Sequence, residues 1–474
     1  MSVLIALLGL LLLVVLAYRG FSVILFAPVA AMLPVLLTAP ASVPTAFTAL
    51  FMAKAVIFVK LYFPVFLLGA VFGKLMEMTG FARSLTIAII RLVGPERAIL
   101  ATVLVAAVLC YGGVSLFVVV FAVYPFATEL FRRAAIPKRL MPAALALGGF
   151  SFTMDALPGT PQIQNIIPTA FFHTNAWAAP ILGSVGSAAI LAAGMAYLQW
   201  RVRRAGSEGY GSGHLNEPDD IAGGGAQDGA GGAAGEGAVP PWPLAVLPLV
   251  AVWVLNKLFT TLIPGAFGRT DTVTLPGLAE PLSTDVPAFT AIWALEAALI
   301  AGVLLTVALG WRGVRGRFSE GTRPAVAGAL LATLNTASEF GFGGVIAALP
   351  GFLVARDALA AVPDPLIKAA VATTTLAGIT GSASGGLSIA LAALGGQLAA
   401  SAEAAHIPLE VMHRVTAMAS GGMDCLPHNG AVITVLAVCG LTHRQSYGDI
   451  FAITLIKTAA VFLVIALYRT TGLV

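Results

Sequence analysis

The sequence predicts an all-α polytopic membrane protein built as two inverted repeats, each of three crossings, a re-entrant hairpin and two further crossings, the first of them broken. Three observations predict it. Apolar residues make up 58% of the chain and charged residues 10%, against roughly 25% charged in a soluble domain. A short phrase occurs twice, MDALP at 154–158 and MDCLP at 423–427, each within a long apolar stretch. Between the two copies, residues 206–239 are Gly-rich and acidic, with almost no apolar content.

Taken in order, the runs 3–17, 21–37, 181–200, 244–262, 288–309 and 450–468 are long enough to cross a hydrocarbon core about 30 Å thick as helices. Alternation of apolar and polar positions is absent, which excludes a barrel. The N-terminus has neither a basic region nor a small-residue cleavage site, so it reads as a first anchor. Whether residues 44–80 make one crossing or two stays open, and with it the side of the N-terminus. Cys110, Cys425 and Cys439 lie in apolar or near-apolar segments and form neither a disulfide framework nor a metal cluster; no metal and no cofactor is expected. The net charge of +4 makes no case for nucleic acid, because the basic residues gather in four segments near 132–139, 201–204, 312–323 and 443–444. The positive-inside rule places those segments in the cytoplasm and the C-terminus outside.

The domain division follows: scaffold helices 1–96, a hairpin and broken-helix part 97–204, a flexible cytoplasmic linker 205–240, scaffold helices 241–363, and a second hairpin and broken-helix part 364–474. The halves can be laid over one another. Gly112 to Asp155 is the same distance as Gly381 to Asp424, both spans open on a Gly/Ser cluster, and both pass an Ile-Pro pair (Ile136 and Pro137, Ile407 and Pro408) before the repeated phrase. Residues 98–131 are too long for one crossing and too short for two. Their middle holds Tyr111, Gly112, Gly113 and Ser115, so two short helices meeting at a tip inside the membrane fit best. The second hairpin, 365–402 with its tip at 381–386, is flanked by Asp364 and Glu403 and should open on the opposite side. Inverted repeats with paired broken helices mark a secondary transporter, because unwound backbone survives in a bilayer only in contact with protein or a wet cavity.

The run FTMDALPGTPQIQNIIPTAFF and its partner GGMDCLPHNGAVITVLAVCGLTHRQSYGDIF resemble the gluconate:proton symporter family of the ion transporter superfamily. DALPGTPQ and DCLPHNGA look more like the branch linked to short hydroxy acids such as 3-hydroxybutyrate. The resemblance implies a homodimer in the bacterial inner membrane. In it, a transport part of hairpins and broken helices would move as an elevator against a fixed scaffold, carrying a small organic anion with a proton. The alternative within the superfamily is a sodium-coupled di- or tricarboxylate carrier.

No Arg or Lys lies within either hairpin tip or either break, so the expected substrate ligands are hydroxyls, amides and free N–H groups. These are Ser115, Thr160, Gln162, Ser384, His428 and Asn429, with Gly113, Gly159 and Gly385 letting backbone come close; small residues also serve plain helix packing. Gln164, Asn165 and His173 are read as satisfying backbone near the end of the broken helix. Asp155 and Asp424 are the proton-coupling candidates, since a carboxylate in the membrane either titrates or is held by donors. The competing reading makes each the cap of the half-helix after its break. Glu77 and Glu339 are the alternative proton carriers. An intramembrane hydrolase would need a base beside Ser382 or Ser384, and no recurring His or Lys marks one. The chain is therefore read as a carrier and not an enzyme.

Overall fold

The computed structural model describes residues 2–19, 21–114, 116–206, 208–211, 239–277, 280–351, 362–427 and 429–474. Most of the linker, Ser115 and His428 lie outside them.

The described residues are almost wholly helical. The first half begins with α1 (Ser2–Tyr18), α2 (Val23–Thr38) and α3 (Pro40–Met78). α3 is one helical segment of 39 residues containing a π-helical stretch, Ala46–Met52. At 1.5 Å per residue it is about 58 Å long and must tilt to fit a bilayer. A short amphipathic helix, α4 (Phe81–Val93), follows after a left-handed turn at Gly80; the sequence reading had no separate place for it. Then come the hairpin α5 (Ala98–Tyr111) and α6 (Leu116–Arg133), the interrupted helix α7 (Met141–Gly149) and α8 (Ile163–Phe172), and the crossing α9 (Pro180–Ala205).

The second half follows the same order, with no counterpart of α4 among the described residues. α10 (Trp242–Phe267), α11 (Val286–Leu309) and α12 (Phe318–Ala348) precede a hairpin of α13 (Pro365–Thr380) and α14 (Ala383–Ala404). An interrupted helix, α15 (Leu409–Gly421) and α16 (Gly430–Val438), leads to the final α17 (His443–Thr471). Five of the six apolar runs read from the sequence lie within one of these helices, and the sixth, 21–37, starts two residues before α2. A feature the sequence reading lacked is a small antiparallel hairpin between α10 and α11, with β1 (Thr270–Val273) paired to β2 (Leu282–Asp285) and Thr270 opposite Asp285.

Helix ends follow local rules. Asp364 accepts from the N–H of Leu366 and Ile367 at the start of α13, with Pro365 at the first helical position. Ser382 caps α14, Asn429 caps α16, and Thr442 with Gln445 forms a capping box on α17. Gly381, at φ 67°, turns the tip between α13 and α14.

α3 and α12 pack along one another, with α11 against α3 and α2 against α12. α9, α15 and the start of α13 pack on α17. At one end of α17, Asp449 takes Arg201 (2.5 Å) and Arg139 (3.5 Å), Ser446 donates to the Arg139 carbonyl, and Arg139 holds Glu208. At its other end Arg469 pairs with Asp364 at 2.6 Å, and the N–H of Ile181 meets the carbonyl of Val474. The loop after the first hairpin therefore sits at one end of α17, and the mouth of the second hairpin at the other.

Candidate functional site: the junction of two interrupted helices

The first break runs from Phe150 to Gln162. Pro158 and Pro161 lack N–H groups and Gly159 is left-handed at φ 79°, so no regular helix can pass. Its freed carbonyls are taken up by side chains. Cys110 Sγ reaches the carbonyl of Gly149 (3.0 Å), Lys457 Nζ that of Phe150 (3.0 Å), Thr160 Oγ1 that of Thr153 (2.7 Å), Arg414 Nη1 that of Asp155 (2.7 Å), Tyr111 OH that of Pro158 (2.7 Å) and Asn165 Nδ2 that of Thr160 (3.0 Å). Unwound backbone is thus kept in the interior with donors on these carbonyls.

The tip of the first hairpin closes on this break. Gln162 Nε2 donates to the Cys110 carbonyl at 2.6 Å, and a Cβ on Gly113 would stand 3.3 Å from the Pro161 ring. Gly159 lies under Trp177, whose indole would be 2.7 Å from a Cβ there and whose Nε1 donates to Asn256 of α10 at 3.0 Å.

The second break, Gly422 to Asn429, starts with a 3-10 turn, Gly422–Cys425, and passes Pro427. Its hairpin tip is joined to it in the same way. Asp424 Oδ1 accepts from the N–H of Ala383 (2.9 Å) and from Asn429 Nδ2 (3.1 Å), which also reaches the Gly381 carbonyl at 2.8 Å.

The breaks meet each other. Gln164 Nε2 donates to Asp424 Oδ2 at 3.0 Å. Lys457 of α17 forms a 2.8 Å ion pair with Asp155, both side chains 1% exposed. Arg414 is fully buried and spends its donors on the carbonyls of Ala178 and Asp155 and on Asn165 Oδ1. His413 lies 3.3 Å from the same Asn165 oxygen. Two acceptors here lack donors among the described residues: Asp155 Oδ1 and Gln164 Oε1.

The sequence-derived residues thus divide. Gly113, Gly159, Thr160 and Gln162 gather at the first break, Ser384, Gly385 and Asn429 at the second, with Asp155 and Asp424 where the two meet. The expectation that no cation serves the breaks is overturned, because Lys457 and Arg414 arrive from neighbouring helices. A lone lysine inside the run 450–468 was the available signal. The capping reading is also corrected: Asn429 caps α16 by accepting from the Ala431 N–H, whereas the backbone donor of Asp424 belongs to α14. Glu77 is half-exposed beside Lys74 at 2.8 Å, near the end of α3, and leaves the list of buried acids. His173 is exposed in a left-handed turn. Ser382 Oγ accepts from the Gly385 N–H and lies 3.5 Å from Ser384 Oγ, with no basic partner among the described residues. A cavity of about 420 Å³ beside β2, lined by Lys60, Asp285, Phe289, Trp293 and Glu296 among others, lies apart from the breaks and holds none of these residues.

An all-α polytopic membrane protein with two interrupted helices meeting around buried charges has the build of a membrane transporter. The chain is 55% identical over 482 residues to the uncharacterized transporter YxjC of Bacillus subtilis (strain 168), covering 100% of both, and it belongs to that transporter family. No protein-family model matches it. In fold it is similar to the YdaH transporter of Alcanivorax borkumensis, whose crystal structure reveals an unusual topology, with TM-score 0.54, 15% identity, and 92% and 90% of the two chains covered.

Proposed function

We propose that the protein is a proton-coupled symporter of a small hydroxy monocarboxylate, of the gluconate or 3-hydroxybutyrate kind, working by elevator-type alternating access. The observation that carries this reading is the buried junction of the two breaks. Lys457 and Arg414 supply positive charge for an organic anion, while Asp155 Oδ1 and Gln164 Oε1 are acceptors without donors among the described residues, suited to substrate hydroxyls. Thr160, Gln162, Ser384 and Asn429, with the close-approach glycines 113, 159 and 385, complete the proposed site, and Ser115 and His428 stay within the proposal on sequence grounds. Asp155 and Asp424 belong to the carboxylate cluster in which coupling is placed. Inverted repeats are supported by the two hairpins meeting opposite ends of α17. The positive-inside rule makes the Arg139–Arg201 end cytoplasmic, with the linker there, in a bacterial inner membrane. A homodimer and a scaffold of residues 1–96 and 241–363 remain part of the proposal.

The test is purified protein in liposomes with a panel of labelled C3 to C6 hydroxy acids. An inside-alkaline proton gradient should accelerate uptake, with sodium dispensable. Uptake that requires sodium and ignores pH would move the reading to the sodium-coupled dicarboxylate alternative.

A further inference from the structure

The buried acids at the junction are not equivalent. Asp155 is paired with Lys457, and Asp424 is held by a backbone N–H and two amide donors. Glu339 of α12 is 7% exposed and has no hydrogen-bond donor or ion-pair partner among the described residues. Its carboxylate lies directly against Gly385, at the tip of the second hairpin, where any Cβ would overlap it. The charged group facing it is Asp424, from the turn after α15; Lys54 of α3 lies further along α12, with its side chain over Gly344. α2 carries no titratable residue, and the one on α14, Glu403, is at its far end.

An ionised carboxylate with no donor, facing a second carboxylate in a dry interior, is costly enough that the group takes up a proton instead. We propose that Glu339 is the proton-coupling residue, seated on the scaffold, and that its neutral form is what lets the Gly385 tip close over it. When the hairpin withdraws, water reaches Glu339, and the carboxylic acid gives its proton to that water, becoming carboxylate. Return of the tip requires it to regain one proton. This rests on the symport reading above.

Two experiments on the full-length protein test it. In liposomes with a trapped pH dye, substrate entering down its own gradient should acidify the lumen for the parent protein. Glu339→Gln should keep that influx within about threefold while lumen acidification is lost. A parent protein that moves no protons removes the symport reading itself. Acidification retained by Glu339→Gln, or abolished influx in a folded variant, overturns the assignment to Glu339 alone. Independently of any variant, dicyclohexylcarbodiimide, which adds to protonated carboxyls in apolar surroundings, should label Glu339 of the parent, and the extent of labelling should fall at alkaline pH. Labelling confined to Asp155 or Asp424 would equally overturn it.

Discussion

At the scale of single residues, the Asp155–Lys457 pair is the feature most sensitive to substitution. Asp155→Asn keeps the shape but leaves a buried ammonium without its counter-charge, a loss of about 3–5 kcal/mol by analogy with other buried pairs. An exposed cap would have cost about 1 kcal/mol. Adding Lys457→Met removes the stranded charge, so the double variant should recover most of the stability. Thermal unfolding in detergent reads both, and a double variant no more stable than the single would show that the pair is not the source of the loss. At the surface, the guanidinium of Arg139 hydrogen-bonds Glu208 and holds its carboxyl below the ordinary value. A depressed pKa means the contact stabilises the fold above the unfolded value, near 4.3, and is lost as pH falls through the folded one. Being exposed, it contributes little. The protection of the amides at residues 208–211 against hydrogen exchange, relative to their intrinsic rates at each pH, should therefore fall only in acid. The aspartates were legible as repeated charges in apolar sequence. Their partners were not, because Lys457 lies some 300 positions away, about the separation of two chain halves, and only the meeting of the breaks brings it to Asp155.

At the scale of elements, the hairpins and interrupted helices were readable because Gly and Pro punctuate them. The tip turns at Gly381 and the breaks at Pro158 and Pro427 lie where those residues demand them. The short amphipathic α4 and the β1–β2 hairpin were hidden: one follows α3 with only a Thr-Gly turn between, and the other lies in a polar stretch that reads as a loop. Glycine's role at an element junction is testable. A Cβ on Gly421, at the end of α15, would overlap Asp155 Oδ2, whereas Gly396 in α14 has nothing within 4 Å. Gly421→Ala should therefore lower the unfolding temperature and abolish uptake. Gly396→Ala should leave uptake intact and add up to about 1 kcal/mol, since Ala is the better helix former. Equal effects at the two positions would argue that the breaks tolerate displacement and that close packing at the junction is not what holds them.

At the scale of the molecule, the contacts between the proposed scaffold and transport part differ in kind from those inside the transport part. Inside it, Lys457, Arg414, Gln164 and Asn429 tie both breaks together through buried charge and amide hydrogen bonds. Across the division lie ring contacts such as Phe171 of α8 with Phe340 of α12 at 6.0 Å, and isolated hydrogen bonds such as Tyr62 to the Ile167 carbonyl and Trp177 to Asn256. Packed apolar surfaces can slide with little directional penalty, whereas a buried polar network must be broken to move. The interior should therefore move as a block against α3, α10 and α12, as the elevator proposal requires. Cysteines at Phe171 and Phe340, joined by a short bifunctional thiol reagent, should arrest uptake. A second pair at Ile181 and Val474, whose backbones already meet at 3.3 Å inside the transport part, should leave it running when joined. Because Cys110, Cys425 and Cys439 are buried, the reagent reaches the introduced pairs first. Uptake that survives the Phe171–Phe340 link would mean that α8 and α12 keep their contact through the cycle, which confines any motion to the hairpin tips and replaces the elevator with local gating.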